Sequence, residues 1–204
     1  MNWLAHIFLS EQNIDFQIGN YLADPLKGRS WEDATIHLKN GIGTHKSIDS
    51  FTDSHLVVSK SKSRLREKGL LKSIIIDITY DYFLTKNWDT FCNIPFEEFT
   101  NNFYVQANNR LNYLPENAKA SVERLIKFNI LNKYQSIEHL EKAFNRFDKR
   151  LSEKLASRDT ASSYFEAVKK NIIDLEKDFM IFFPELCKYV SKNIDNKKIE
   201  HWRI

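Results

Sequence analysis

Ser73-Ile74-Ile75-Ile76-Asp77-Ile78-Thr79-Tyr80-Asp81-Tyr82-Phe83-Leu84 is the stretch on which the fold class turns. Its first half is β-branched and reads equally as a buried strand. It runs on through Asp81-Tyr82-Phe83-Leu84 without a turn signal, however, and a helix enclosed by other helices can be apolar over most of its surface. We therefore read it as helix. The neighbouring segments agree, because Phe99, Phe103, Ala107, Leu111 and Leu114, and then Leu140, Phe144, Phe147, Leu151 and Leu155, recur at three- and four-residue spacing. The pattern predicts an all-α, single-domain, multi-helix bundle over residues 1–204, with a polar tail frayed from about residue 193. Helix stops are expected at Pro25, Gly69, Pro115 and Pro184. Ser30-Trp31-Glu32-Asp33 has the form of a capping box and would start the helix that carries His45, with Gly41 and Gly43 as possible breaks in it.

Composition narrows the class further. The 204 residues hold 42% hydrophobic and 28% charged side chains but only five Gly and four Pro, which excludes collagen-like, low-complexity and disordered chains. Two cysteines, Cys92 and Cys187, make no disulfide framework and have no metal-ligand spacing, so a reduced, cytoplasmic protein is expected. A formal charge of +3 and a pI near 8.7 fall short of the basicity that marks nucleic-acid binding. The opening residues MNWLAHIFLS lack the basic start of a signal peptide, and no stretch is long and apolar enough to span a bilayer.

The informative residues are polar ones inside apolar segments. His6 sits within Trp3-Leu4-Ala5-His6-Ile7-Phe8-Leu9, where an imidazole either finds a core partner or binds something. Asp24 stands at a helix end before Pro25, as a turn acid or a functional one. His45, Asp49 and Asp53 are spaced i, i+4, i+8 and share a helix face, and Asp77 and Asp81 repeat the device. Carboxylates crowded on a buried face are costly unless a metal, Arg or Lys lies between them. Imidazole plus carboxylates without thiolate is the ligand set of Mn²⁺, Mg²⁺ or Fe²⁺, ions that activate water for attack on phosphorus. Lys27, Arg29 and Lys46 lie near these acids in sequence and are candidates for a phosphate, or ordinary surface charges.

The succession Met1-Asn2-Trp3-Leu4-Ala5-His6, Gly19-Asn20-Tyr21-Leu22-Ala23-Asp24, Gly41-Ile42 through His45-Lys46-Ser47-Ile48-Asp49, Thr52-Asp53 and Asp77 to Leu84 resembles the signatures of bacterial acyl carrier protein phosphodiesterases. The likeness is specific over about residues 1 to 90, with Phe182-Phe183-Pro184 similar to the family's close. It implies a cytosolic, HD-domain-like, Mn²⁺-dependent hydrolase, with Mg²⁺ and Fe²⁺ as alternatives, that removes 4′-phosphopantetheine from holo acyl carrier protein. It further implies His6, Asp24, His45 and Asp77 as metal ligands, with Asp49, Asp53, Asp81 and Lys46 in ligand, orienting or proton-carrying roles. Asn20, Lys27, Arg29, Lys62 and Arg64 are the implied substrate-binding residues. Tyr82 stands where members can carry a His, and Lys46 stands where Arg is common, which replaces a bidentate fork by a point charge. Lys60, Lys62, Arg64, Arg66, Lys68 and Lys72 make a basic stretch suited to an acidic carrier protein. Two other readings stay open: a hydrolase of nucleotides or other small phosphodiesters, and a helical module that docks an acidic protein without chemistry. Oligomeric state is not legible.

Overall fold

Short polar side chains set the helix starts. Asn13, Thr35, Ser136 and Ser152 each accept a hydrogen bond from the backbone N–H three residues on, satisfying one of the orphan donors of a first turn. The computed structural model describes residues 1–203, and among them the chain forms twelve α-helices and no strand. These are α1 (Trp3–Phe8), α2 (Ile14–Leu22), α3 (Ile36–Ser54), α4 (Leu56–Leu65), α5 (Lys72–Lys86) and α6 (Trp88–Phe91), followed by α7 (Phe96–Arg110), α8 (Glu116–Lys127), α9 (Ile137–Asp148), α10 (Glu153–Ala156), α11 (Phe165–Lys170) and α12 (Ile172–Val190). None of the described helices is long and apolar enough to cross a membrane.

The Ile-rich stretch is helix α5, and burial explains its composition: Ile75, Ile76, Tyr80, Phe83 and Leu84 are all fully enclosed. The 3.6-residue pattern elsewhere marks buried faces as well, with Phe99, Phe103 and Ala107 inward on α7 and Leu140 and Phe144 inward on α9. One continuous apolar core results, into which α12 sends Phe179, Phe182, Phe183 and Leu186.

Several boundaries differ from the sequence reading. Pro184 does not stop a helix; it lies inside α12, where burial of the residues on either side outweighs a proline cost of about 3 kcal/mol. The helix carrying His45 starts at Ile36 with Thr35 as its cap, not at Ser30, because Lys27 and Gly28 take left-handed φ values of 52° and 69° and lead the chain through a loop. Gly41 and Gly43 leave α3 unbroken. α4 already ends at Leu65, and Gly69 is required for space instead: a Cβ there would run into the Tyr164 hydroxyl. The tail is not frayed through residue 203, since His201 is buried and Trp202 stacks on Phe8 with ring centroids 5.7 Å apart.

The packing that positions the site is between α2 and α3. Gly19 faces Leu38 and Gly41 faces Phe16 so closely that a Cβ on either glycine would collide with the opposing carbonyl oxygen. The two backbones thereby approach near enough for Asn20 on α2 to reach His45 on α3.

Candidate active site

Helices α1, α2, α3 and α5 each send polar side chains to one place. His6 and His45 stack there with ring centroids 3.9 Å apart and planes 16° from parallel. Asn20 orients both rings. Its side-chain amide donates to the His6 carbonyl and to Ser10 Oγ, both at 2.9 Å, which leaves its Oδ1 to accept from His6 Nδ1 at 2.9 Å. Its backbone oxygen accepts from His45 Nδ1 at 2.7 Å. Both Nε2 atoms are thus turned to the same side, toward oxygens: His6 Nε2 lies 3.0 Å from Met1 O and 3.2 Å from Asp49 Oδ1, and His45 Nε2 lies 3.0 Å from Asp49 Oδ2 and 3.2 Å from Asp24 Oδ1. With Nδ1 donating to Asn20, each Nε2 must carry a second proton or meet a cation to face these oxygens, and the nitrogens and carboxylate of His6, His45 and Asp49 fall within 4.8 Å of one another. The chemistry of this donor set fits a divalent ion of the Mn²⁺, Mg²⁺ or Fe²⁺ kind.

Electrostatics follow the same geometry. Burial, with the charge of His45 beside it, pushes the His6 pKa down to about 4. Burial also works against a charged His45, yet hydrogen bonds to Asp24 and Asp49 outweigh it and push its pKa up to about 9. Asp49, although burial would raise it, is held far below the usual carboxylate range by hydrogen bonds from both imidazoles. Asp24 is lowered for the same reason, against its own burial, by His45.

The remaining acids divide. Asp77 faces the Met1 amino group at 3.2 Å, which in turn lies 3.4 Å from Asp49, and burial holds the Asp77 carboxyl above its ordinary range. Asp53 is exposed and pairs with Lys62 at 3.1 Å. Asp81, one turn beyond Asp77, looks elsewhere. Its two oxygens accept from the backbone N–H groups of Leu4 and Ala5, at 2.9 and 3.1 Å, so it closes the first turn of α1 while burial pushes its pKa up to about 7.

A cavity of about 390 Å³ opens over these groups, with Asp24, Asp49, Asp53 and Asp77 on one side and Ile74, Ile78 and Phe147 supplying apolar wall. None of the expected substrate-binding residues lines it. Asn20 is fully buried with its polar atoms spent on the histidines, so it is a positioning residue. Lys27 and Arg29 line a separate cavity beside Trp31 and Pro115, and the end of the Lys46 side chain lies against Gly28. Lys62 is taken by Asp53. Arg64 is bound to the buried Asp178 at 2.7 Å and to Asp174 at 3.4 Å. Much of the basic stretch is also engaged within the chain: Arg66 pairs with Asp159 and Lys72 donates to the Arg66 carbonyl, while Lys60, 3.6 Å from Asp178, and Lys68 are exposed.

Sequence reading missed Arg146 and Arg150 on the cavity wall, as well as Tyr134, whose hydroxyl accepts from Asn2 at 2.9 Å. The only signal of the arginines was their i, i+4 spacing at the end of an amphipathic segment, which is also how a solvated face looks.

Comparison with known proteins identifies the family. A family model described as acyl carrier protein phosphodiesterase matches residues 1–186. Proteins of that name from Photorhabdus laumondii, Klebsiella pneumoniae and Escherichia coli are 26%, 25% and 26% identical, over 97%, 92% and 94% of this chain and 96%, 96% and 98% of theirs. No solved structure matches the chain. The family match begins with the residues that build the histidine and carboxylate cluster and runs to Leu186 in α12, so the chain belongs to the acyl carrier protein phosphodiesterase family.

Proposed function

We propose that the chain hydrolyses the phosphodiester linking 4′-phosphopantetheine to holo acyl carrier protein, releasing apo carrier and 4′-phosphopantetheine, with Mn²⁺ as cofactor. Family membership supports the substrate, and one observation carries the metal: Asn20 pins both imidazoles with Nε2 toward Asp24 and Asp49. His6, His45 and Asp49 would hold the ion, with Asp24 and Asp77 as further oxygen donors. A divalent cation there supplies charge to a phosphoryl oxygen and lowers the pKa of water. The chain's own residues do the rest. Asn20 fixes the ring orientations, which is what an outer partner of a metal-binding histidine does. Asp53 and Asp77 stand on the cavity wall, where a carboxylate can accept the proton of a water attacking phosphorus. Ile74, Ile78 and Phe147 give the organic part of a phosphopantetheine arm an apolar surface and exclude water from it.

The test is to incubate the purified chain with holo acyl carrier protein and Mn²⁺ and to follow intact mass, with a chelator control. Loss of the phosphopantetheine mass, blocked by the chelator, is the expected result. A folded, metal-loaded protein that leaves the carrier unchanged overturns the proposal. One observation favours a second reading, a hydrolase of small phosphodiesters: Lys62, Arg64 and Arg66, which would greet an acidic carrier, are each paired with an acid of this chain. Cleavage of a chromogenic phosphodiester without carrier turnover would establish it.

A further inference from the structure

The end of α9 and the turn that follows it put two arginines, Arg146 and Arg150, on the wall of the cavity, and neither has an acid to pair with among the described residues. Arg146 and Arg150 are i, i+4 on the sequence and line the same cavity as Asp24, Asp49 and Asp77. Of the other arginines, Arg64, Arg66 and Arg110 are each bound to a carboxylate, whereas Arg29, Arg124, Arg158 and Arg203 have no carboxylate partner among the described residues and do not line this cavity. Arg146 is half-buried, and the Arg150 guanidinium lies 5.8 Å from the centre of the Trp3 ring. The half-buried Arg146, with the like charge of Arg150 beside it, is a cation that a bound anion would stabilise. Burial and the neighbouring Arg150 both weigh against the charge on Arg146, in keeping with that cost.

The cavity also needs such a group. Asp24, Asp49, Asp53 and Asp77 all face it, and that field repels a phosphate approaching the imidazoles. Guanidinium groups present paired N–H donors in the geometry that phosphate oxygens accept. We propose that Arg146, in the last turn of α9, and Arg150, in the turn that follows, form a phosphate clamp that seats the phosphodiester of the substrate across the cavity from Asp24 and Asp49. The clamp rests on the reading of the cavity as a phosphodiesterase site. It assigns specificity to a helix far along the sequence from the metal-ligand motifs.

The probe is inorganic phosphate, titrated calorimetrically into the chelator-treated protein, with turnover of holo acyl carrier protein measured separately. Arg146→Gln, Arg150→Gln and the double variant are compared with Lys149→Gln, an exposed cation on the same segment. Wild type and Lys149→Gln should bind phosphate alike, each single variant should weaken it about tenfold, and Arg146→Lys should recover part of the loss. Arg150 is exposed, so its variant reads the clamp without disturbing the core. In turnover the arginine variants should raise KM at unchanged melting temperature. Absence of phosphate binding by wild type, or equal binding by the double variant, overturns the clamp. The two proposals fail separately: phosphate bound through the arginines without carrier turnover sinks the carrier reading alone, and carrier turnover with unchanged KM in the double variant sinks the clamp alone.

Discussion

Asn20 governs the site although it never meets the cavity. It accepts from His6 with its side chain and from His45 with its backbone, so one residue decides which nitrogen of each ring faces the acids. Asn20→Leu keeps the number of side-chain heavy atoms but leaves His6 Nδ1 without its acceptor and takes one donor each from the His6 carbonyl and Ser10 Oγ. We expect a stability loss of about 1–3 kcal/mol from the unpaired groups, read by denaturant unfolding. Mn²⁺ affinity, read by titration, should weaken by about 10–100-fold, as outer-partner changes do. Unchanged affinity would mean that the rings are oriented by their packing alone. Asp81 is a second residue whose work is structural. Asp81→Ala strips the acceptor from two buried amides, and at about 1–3 kcal/mol for each orphaned group the variant should unfold at markedly lower denaturant. Spacing on the sequence made Asp77 and Asp81 look like one pair, since both lie on one face of α5. Their neighbours separate them: Asp77 meets the cavity, and one turn further Asp81 meets the start of α1. Side-chain partners that arrive from 14, 25 or 77 residues away leave no trace in local spacing, which is why the candidate acids were legible and their division of labour was not.

At the level of helices, the contact of α2 with α3 sets the distance between Asn20 and His45, and glycines make that contact possible. The two glycines of α3 give opposite expectations. A methyl group on Gly41 would strike the Phe16 carbonyl oxygen and push the helices apart, whereas one on Gly43 meets nothing within 4 Å. Gly41→Ala should therefore lower stability by about 1–3 kcal/mol, the usual cost of overpacking, and weaken metal binding with it. Gly43→Ala should be neutral or stabilise by up to about 1 kcal/mol through helix propensity. Thermal melts of the two variants decide the matter, and equal shifts would remove close packing as the explanation. Helical class was readable because the hydrophobic period is clear in α7 and α9, while the Ile-rich α5, buried over most of its surface, was legible only by running on without a turn signal. Helix ends were harder to read, and Pro184 shows why. A local breaker loses when the residues beside it, Phe182, Phe183 and Leu186, bury fully on one continuous helix.

The whole molecule is closed by a segment that looked dispensable. Residues after α12 cross back to the start of the chain, where the His201 Nε2 and Trp202 Nε1 groups meet the Phe8 carbonyl at 2.9 and 3.0 Å, and Cys92 pairs with Trp202 through the backbone. Polar composition concealed this, since the anchor consists of two aromatic side chains among Asn, Asp and Lys. The anchor also makes stability depend on pH, at a point apart from the His6–His45–Asp49 cluster. With Nε2 turned to a carbonyl, the proton that would charge His201 must go to Nδ1, which is buried without a partner among the described residues. Burial accordingly pushes the His201 pKa down to about 4 from its usual 6.5, against the pull of the Phe8 carbonyl. Between those values the unfolded chain binds a proton that the folded chain refuses. The contribution is therefore intact above pH 6.5 and is lost as pH falls toward 4, at about 1.4 kcal/mol per unit or roughly 3 kcal/mol in all. His6 is lowered into the same window, so the absolute curve contains both histidines, and the difference between proteins isolates one. His201→Gln keeps a donor near Phe8 and removes the titration. Its denaturant-unfolding free energy should fall less steeply than that of wild type between pH 6.5 and 4, whereas parallel curves would mean that the tail releases His201 before it protonates.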